Sequence, residues 1–198
     1  QYVSVSGKGL TAEFAREKLC EYGVQVGIVE DDTRPTTLKQ RYRATGKTLL
    51  RVSHLRQRAI SQELSDKILD IVNSALLTTD LLIFSDFNYG CLPQNLVDEI
   101  VDSCKKRGVL MVADSQSSSQ VGDVSRFKGM LLLTPTEREA RLALGDFSSG
   151  LVVLAENLRK KTGAKYITLT LGAEGLLAHS LSGTNQEEMF TDRLPAFN

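Results

Sequence analysis

The 198-residue sequence predicts an α/β fold, a mainly parallel sheet flanked by helices with a small β-hairpin lid, and three observations carry that prediction. First, several short apolar runs stop abruptly in polar residues: LLIFSD (Leu81 to Asp86), VLMVAD (Val109 to Asp114), MLLLTPTERE (Met130 to Glu139), and YITLT (Tyr166 to Thr170), which runs into Gly172. Short apolar runs of this kind, without polar alternation, are the pattern of buried strands. Second, the stretches between them carry apolar residues at helical spacing, and a recurring strand-helix unit folds as a mainly parallel sheet with helices on both faces. Third, residues 33–53 change character. After Arg34-Pro35, Leu38, Gln40, Tyr42 and Ala44 alternate with Lys39, Arg41 and Arg43, and Thr45-Gly46 separates them from KTLLRVS. That is a two-stranded antiparallel hairpin with one basic face, serving as a lid or an edge.

Each element has its own signal. YVSVSG (Tyr2 to Gly7) is a strand, and Thr11 to Tyr22 a helix whose Phe14, Ala15, Leu19 and Tyr22 form an apolar face before Gly23. VQVGIVE is the second strand, followed by the hairpin. Ile60 to Leu77 is helical, with Leu64, Ile68, Ile71, Val72 and Ala75 on one face. Pro93 opens a helix carrying Leu96, Val97, Ile100, Val101 and Cys104, and Gly108 stops it. Ser115 to Gly129 is a Ser-rich loop. Glu137 to Leu144 and Ser149 to Lys161 are helices closed by Gly145 and Gly163, and LLAHS follows the turn LGAEG as a hairpin strand.

Composition bounds the function. At 41% hydrophobic the chain can bury a core and is most simply one domain with at most a small appendage. Lys plus Arg and Asp plus Glu are both 24, which gives no electrostatic reason to expect nucleic acid or an anionic membrane as partner. The three cysteines, Cys20, Cys91 and Cys104, lack metal-ligand spacing and read as reduced intracellular core thiols. No apolar run approaches the roughly 20 residues of a membrane span, and QYVSVSG is not a signal peptide, so a cytoplasmic protein is expected. A start without Met, directly in a strand, and an end at LPAFN suggest a fragment.

Several constellations can carry chemistry. Gly7-Lys8-Gly9-Leu10-Thr11-Ala12 fits G-x-G-x-x-A between a strand and a helix, with Glu30 following the next strand, as in a dinucleotide-binding oxidoreductase; a plain tight turn is the other reading. Lys39, Arg41, Arg43, Lys47 and Arg51 either hold phosphate or form a solvated face. Thr136-Glu137-Arg138-Glu139 is a capping box, and Glu139 can in addition order a water or magnesium ion near a bound phosphate. Thr170 to Gly175 lets backbone approach a nucleotide phosphate or simply turns a hairpin. Asp86 and Asp114 end strands, where carboxylates position ligands or cap turns. His54 and His179 stand isolated in the sequence.

In order along nearly the whole chain, these residues resemble the ribokinase-like (phosphofructokinase-B type) carbohydrate kinases, most of all the heptose-phosphate kinase branch of bifunctional sugar kinase and nucleotidyltransferase proteins. RPTTLKQRYR resembles that family's RPTT-x-K-x-R segment, SDFNYG its S-D-Y strand end, and VADSQ its A-D-P-K strand end. LLLTPTERE resembles T-P-N-x-x-E and TLTLGAEG the T-x-G-x-x-G nucleotide loop. Lys8 stands where the family has Asp, Tyr89 and Gln116 where it has lysines, and Thr136 where it has Asn. The Gly-Ala-Gly-Asp motif that carries the family's catalytic base is not among these residues.

The resemblance implies an ATP- and magnesium-dependent kinase acting on a sugar or sugar phosphate, with 1–198 as a partial kinase domain and 33–53 as the lid. Arg34, Thr36, Lys39 and Arg41 would serve the sugar side or lid. Asp114, Thr136, Thr170, Gly172 and Gly175 would line the nucleotide side, and Glu139 would support magnesium. A homodimer through the lid is expected, with no nucleic acid or membrane partner. With no catalytic base, these residues alone are expected to transfer no phosphate; a non-catalytic nucleotide-binding or dimerisation module is the further alternative.

Overall fold

A computed structural model describes residues 1–116, 122–181 and 189–196. The elements are β1 (Tyr2–Ser6), α1 (Leu10–Glu21), β2 (Val26–Glu30), β3 (Leu38–Ala44), β4 (Lys47–His54), α2 (Gln62–Ala75), β5 (Leu81–Asp86), α3 (Gln94–Arg107), β6 (Leu110–Ser115), β7 (Leu132–Leu133), α4 (Glu137–Leu144), α5 (Leu151–Thr162), β8 (Tyr166–Thr170), β9 (Leu176–Leu181) and β10 (Met189–Leu194). The α/β fold is therefore present, and the predicted strands and helices appear close to their expected places. Part of the Ser-rich loop, 117–121, lies outside the described residues. Among those residues, no helix is long and apolar enough to cross a membrane.

The chain divides into two compact units, where one domain with an appendage is the simplest sequence reading. The first comprises residues 1–77 and 89–96. Its β1 and β2 pair in parallel, and α1 and α2 pack against them. Ser61 caps α2, its hydroxyl accepting from the Leu64 amide, and Ser65, Ile68 and Val72 are buried on the inner face. The helix α1 departs from expectation. Ala12 is its buried residue, Ala15 and Leu19 of the predicted apolar face are half-buried, and Phe14 and Tyr22 are 59% and 78% exposed, so that face is only partly covered. The hairpin β3–β4 forms as predicted, with Arg41 directly opposite Arg51 and Tyr42 opposite Leu50.

The second unit, residues 78–88 and 97–198, holds a six-stranded sheet in the order β10-β9-β8-β7-β6-β5. The pairs from β5 to β8 are parallel, and β9 and β10 return antiparallel. The register aligns Phe84, Ala113, Leu133, Ile167 and His179 in one row, none more than 3% exposed. Phe84 packs on Phe127 with ring centroids 5.4 Å apart, and α4 and α5 pack on each other and on β8.

The neighbouring row, Ile83, Val112, Leu132 and Tyr166, points to the other face, and there Ile83 is 62% and Tyr166 39% exposed. Leu81 and Leu110, paired one step along, are exposed as well. Helices on both faces were expected; topology explains the difference. Consecutive strands β5 to β8 are sheet neighbours in chain order, and crossovers of constant right hand return over the same face each time. The described residues thus cover one face of a sheet whose apolar runs suit two covered faces.

Behind the sheet, Glu156 on α5 ties three elements together. It accepts from Arg159 Nε at 2.7 Å and Nη2 at 3.0 Å, and its Oε2 lies 3.0 Å from His179 Nε2 on β9. With the carboxylate as acceptor, Nε2 carries a proton, and Nδ1 lies 2.8 Å from the Thr191 hydroxyl on β10, within hydrogen-bond distance. His179, isolated in sequence, is a buried cross-link. The Arg159 hydrogen bonds, against an opposing effect of burial and with further help from His179, lower the Glu156 pKa from the usual 4.5 to about 2. A depressed carboxylate pKa stabilises the fold above the unfolded value and ceases to do so as pH falls through the folded one. Glu156→Gln is therefore expected to lower the melting temperature at pH 6, with the gap from wild type closing between about pH 4.5 and 2; a gap unchanged at pH 2.5 would refute this.

The cysteines divide by environment. Cys104 is buried, its thiol pKa raised by burial, Cys91 is half-buried beside Ser4, and Cys20 is exposed, contrary to its expected core position.

Candidate functional site

The strand ends of the second unit converge. Thr134 follows β7 and donates its hydroxyl to Asp114 Oδ1 at the end of β6, 3.0 Å away. The Thr170 amide at the end of β8 donates to the Pro135 carbonyl at 2.9 Å, holding the turn after β7 beside β8. That turn enters α4 through the predicted capping box. The Thr136 amide donates to Glu139 Oε2 at 2.8 Å, and the Glu139 amide donates to the Thr136 hydroxyl at 3.2 Å. These contacts satisfy helix-end donors and leave Glu139 6% exposed.

Above them lies an open cleft of about 700 Å³ lined by Asp114, Gln116, Thr134, Thr136, Arg138, Glu139 and Thr170. It sits at the carboxyl ends of parallel strands, where open α/β sheets bind ligands. Of the predicted nucleotide-side residues, Asp114, Thr136 and Thr170 line it, as does Glu139. Thr134, Gln116 and Arg138 were not among the predicted site residues, and proximity to the strand-end motif was the available signal.

Gly172 and Gly175 lie in the turn after β8, outside the lining. Gly172 has φ 61° and open space where a Cβ would project, so backbone approach is unobstructed. Gly175 is accounted for by packing, because a Cβ there would lie 2.0 Å from the Leu194 carbonyl oxygen of β10. Asp86 caps a turn: it is buried and accepts from the Asn88 amide at 2.9 Å and from Arg126 Nη2 at 2.8 Å.

The predicted sugar-side residues all belong to the first unit. Arg34 is a structural clamp, its Nε 2.7 Å from Asp31 Oδ2, while Nη1 and Nη2 donate to the carbonyls of Tyr89 at 3.3 Å and Arg58 at 2.8 Å. Burial pushes the Asp31 carboxyl up, yet hydrogen bonds from Thr33 and Arg34 outweigh it and hold the pKa below the ordinary value. Thr36 keeps a buried hydroxyl with no hydrogen-bond partner among the described residues. The Lys39 ammonium lies 5.0 Å from the centre of the Tyr89 ring, and Arg41 is exposed on the hairpin. At the G-x-G-x-x-A segment, a Cβ on Gly7 would fall 2.3 Å from the Arg34 carbonyl oxygen, so close packing against the Arg34–Thr36 backbone accounts for that glycine, whereas Gly9 has nothing within 4 Å of where a Cβ would project. Lys8 pairs loosely with Glu30 at 3.7 Å.

This sheet, with its cleft at the strand ends and a separate small hairpin, is the ribokinase-like fold. Solved structures agree. The chain matches phosphofructokinase-2 from Escherichia coli with a TM-score of 0.70 at 16% identity, covering 96% of this chain and 59% of that one. It matches ribokinase from Giardia lamblia with a TM-score of 0.71 at 16% identity, covering 98% and 58%.

In sequence, the chain is 30% identical over 180 residues to the bifunctional protein HldE of Desulfatibacillum aliphaticivorans, covering 89% of this chain and 36% of that protein. It is 28% identical over 176 residues to HldE of Wolinella succinogenes, covering 87% and 36%. No protein-family model matches. The chain has the ribokinase-like fold, is similar in sequence to these HldE proteins, and spans about a third of their length, 36% in both cases.

Proposed function

We propose that these residues are the central part of an ATP-dependent carbohydrate kinase that phosphorylates a hydroxyl of a sugar or sugar phosphate, with the strand-end cleft as its nucleotide side. The convergence of Asp114, Thr134, Thr136, Glu139 and Thr170 on one cleft carries this reading. Phosphoryl transfer asks a protein chiefly for positioning and charge stabilisation, which hydroxyls, amides and carboxylates at strand ends supply. Thr134 orients the Asp114 carboxylate, and the capping box holds Glu139 in place at the cleft wall.

Among the described residues no group of three or more His, Cys, Asp or Glu could hold a metal ion. Magnesium binds through one or two carboxylates together with substrate phosphates and water. Glu139 would hold it on the protein side, and the ion would supply charge neutralisation of the phosphates. On the sugar side, Thr36, Lys39 and Arg41 remain the proposed contacts, with Arg34 fixing the segment that carries them. The hairpin leaves Leu38, Tyr42 and Leu50 exposed, and a cytoplasmic homodimer formed through it would cover them.

Calorimetric titration of the 198-residue chain with magnesium-ADP tests the cleft. Saturable binding is expected, weakened about ten-fold or more by Asp114→Ala, with no phosphate transferred to any sugar because the Gly-Ala-Gly-Asp base is not in these residues. Saturable binding of NADH without binding of ADP would overturn the kinase reading.

A further inference from the structure

The cleft's charge pattern points to a residue that the family motifs do not mark. Among the described residues, its lining contains two carboxylates, Asp114 and Glu139, three threonine hydroxyls, the Gln116 amide, and a single cation, Arg138. Gln116, in this lining, stands where the family that the chain resembles has a lysine, and it brings no positive charge. A site for a nucleoside polyphosphate needs positive charge from the protein as well as from the metal, because the phosphates are drawn out of water together.

Arg138 occupies a position that helix stability does not favour. It lies in the first turn of α4, where the macrodipole favours acidic residues and opposes a cation by some tenths of a kcal/mol. Its acidic neighbours are already engaged: Glu137 pairs with Arg141 at 2.8 Å, and Glu139 closes the capping box. Among the described residues, the Arg138 side chain makes no hydrogen bond or ion pair, and it is exposed at the cleft wall. Arginine also offers a planar fork of donors that matches two phosphate oxygens at once, unlike the compact ammonium of lysine.

Resting on the nucleotide reading of the cleft, we propose that Arg138 is a polyphosphate-binding cation of the cleft, and that it makes the cleft selective for nucleoside di- and triphosphates over the nucleoside. Arg138 acts on the phosphate arm alone. The threonines, Asp114 and the open turn at Gly172 remain available to the rest of the nucleotide.

Isothermal titration of the chain and its R138A and R138K variants, with magnesium-AMP-PNP and with adenosine as probes, tests this. Wild type should bind AMP-PNP more tightly than adenosine. R138A should lose about ten- to hundred-fold in AMP-PNP affinity, the effect of removing hydrogen bonds to a charged group, while adenosine affinity stays within two-fold. R138K should recover part of the loss, and the salt dependence of AMP-PNP binding should weaken in R138A. Because Arg138 is exposed and unpaired among the described residues, the melting temperature of R138A should match wild type, which excludes misfolding as the cause. If wild type binds AMP-PNP and R138A binds it equally well, or loses both probes equally, the role of Arg138 is overturned while the cleft reading stands. If wild type binds neither probe, the nucleotide reading falls and this inference with it.

Discussion

Arg34→Ala is expected to destabilise the first unit by about 3–5 kcal/mol, measured by urea unfolding followed by circular dichroism. The Arg34 and Asp31 side chains are 8% and 3% exposed, and the guanidinium also satisfies two backbone carbonyls from distant segments. Removing it leaves a buried carboxylate and two carbonyls without their partner, and an uncompensated buried charge is the costly case. The double variant Asp31→Ala, Arg34→Ala should therefore be more stable than Arg34→Ala alone, since it removes the stranded charge along with the lost pair. A loss below about 1 kcal/mol would mean that Arg34 is solvated in solution and free to serve a ligand directly. The outcome separates a residue that touches sugar from one that fixes the segment carrying Thr36, Lys39 and Arg41.

The second large contrast lies between adjacent residues of β5. Phe84→Ala should cost about 3–5 kcal/mol, because Phe84 is 3% exposed and stacks on Phe127, and truncating a buried aromatic leaves a cavity. Ile83→Thr, one residue earlier, should change stability by no more than about 0.5 kcal/mol, because its side chain is 62% exposed and threonine keeps the branched Cβ that strands favour. Paired denaturation curves at several protein concentrations check both. A comparable loss for Ile83→Thr would show that the open face is covered in solution, and a loss that grows with protein concentration would identify self-association as the cover.

The capping box and the strand-ending motifs were legible in the sequence because they are local: a Thr-x-x-Glu spacing reaches its own helix end whatever surrounds it. The hairpin was legible for the same reason, since alternation and Thr45-Gly46 specify pairing over a short span. The α1 face is only partly covered, because periodicity reports amphipathic spacing without reporting what lies against it: Ala15 and Leu19 are half-buried while Phe14 and Tyr22 meet solvent. Apolar runs such as LLIF likewise say that both faces of a strand are apolar, and only topology decides which face of this sheet the described residues cover.

By itself the sequence determined the order of strands and helices, the polar strand ends, the family resemblance and the residue types available to a site, all properties of short segments and their spacing. Tertiary structure alone decided which of those residues meet. It gathered Asp114, Thr134, Thr136, Arg138, Glu139 and Thr170 around one cleft and turned Arg34 inward as a clamp. It also joined His179 to Glu156 and Thr191 across three elements. The physical reason is that burial and pairing depend on residues brought together by sheet register and crossover hand, neither of which is a property of any single stretch of chain.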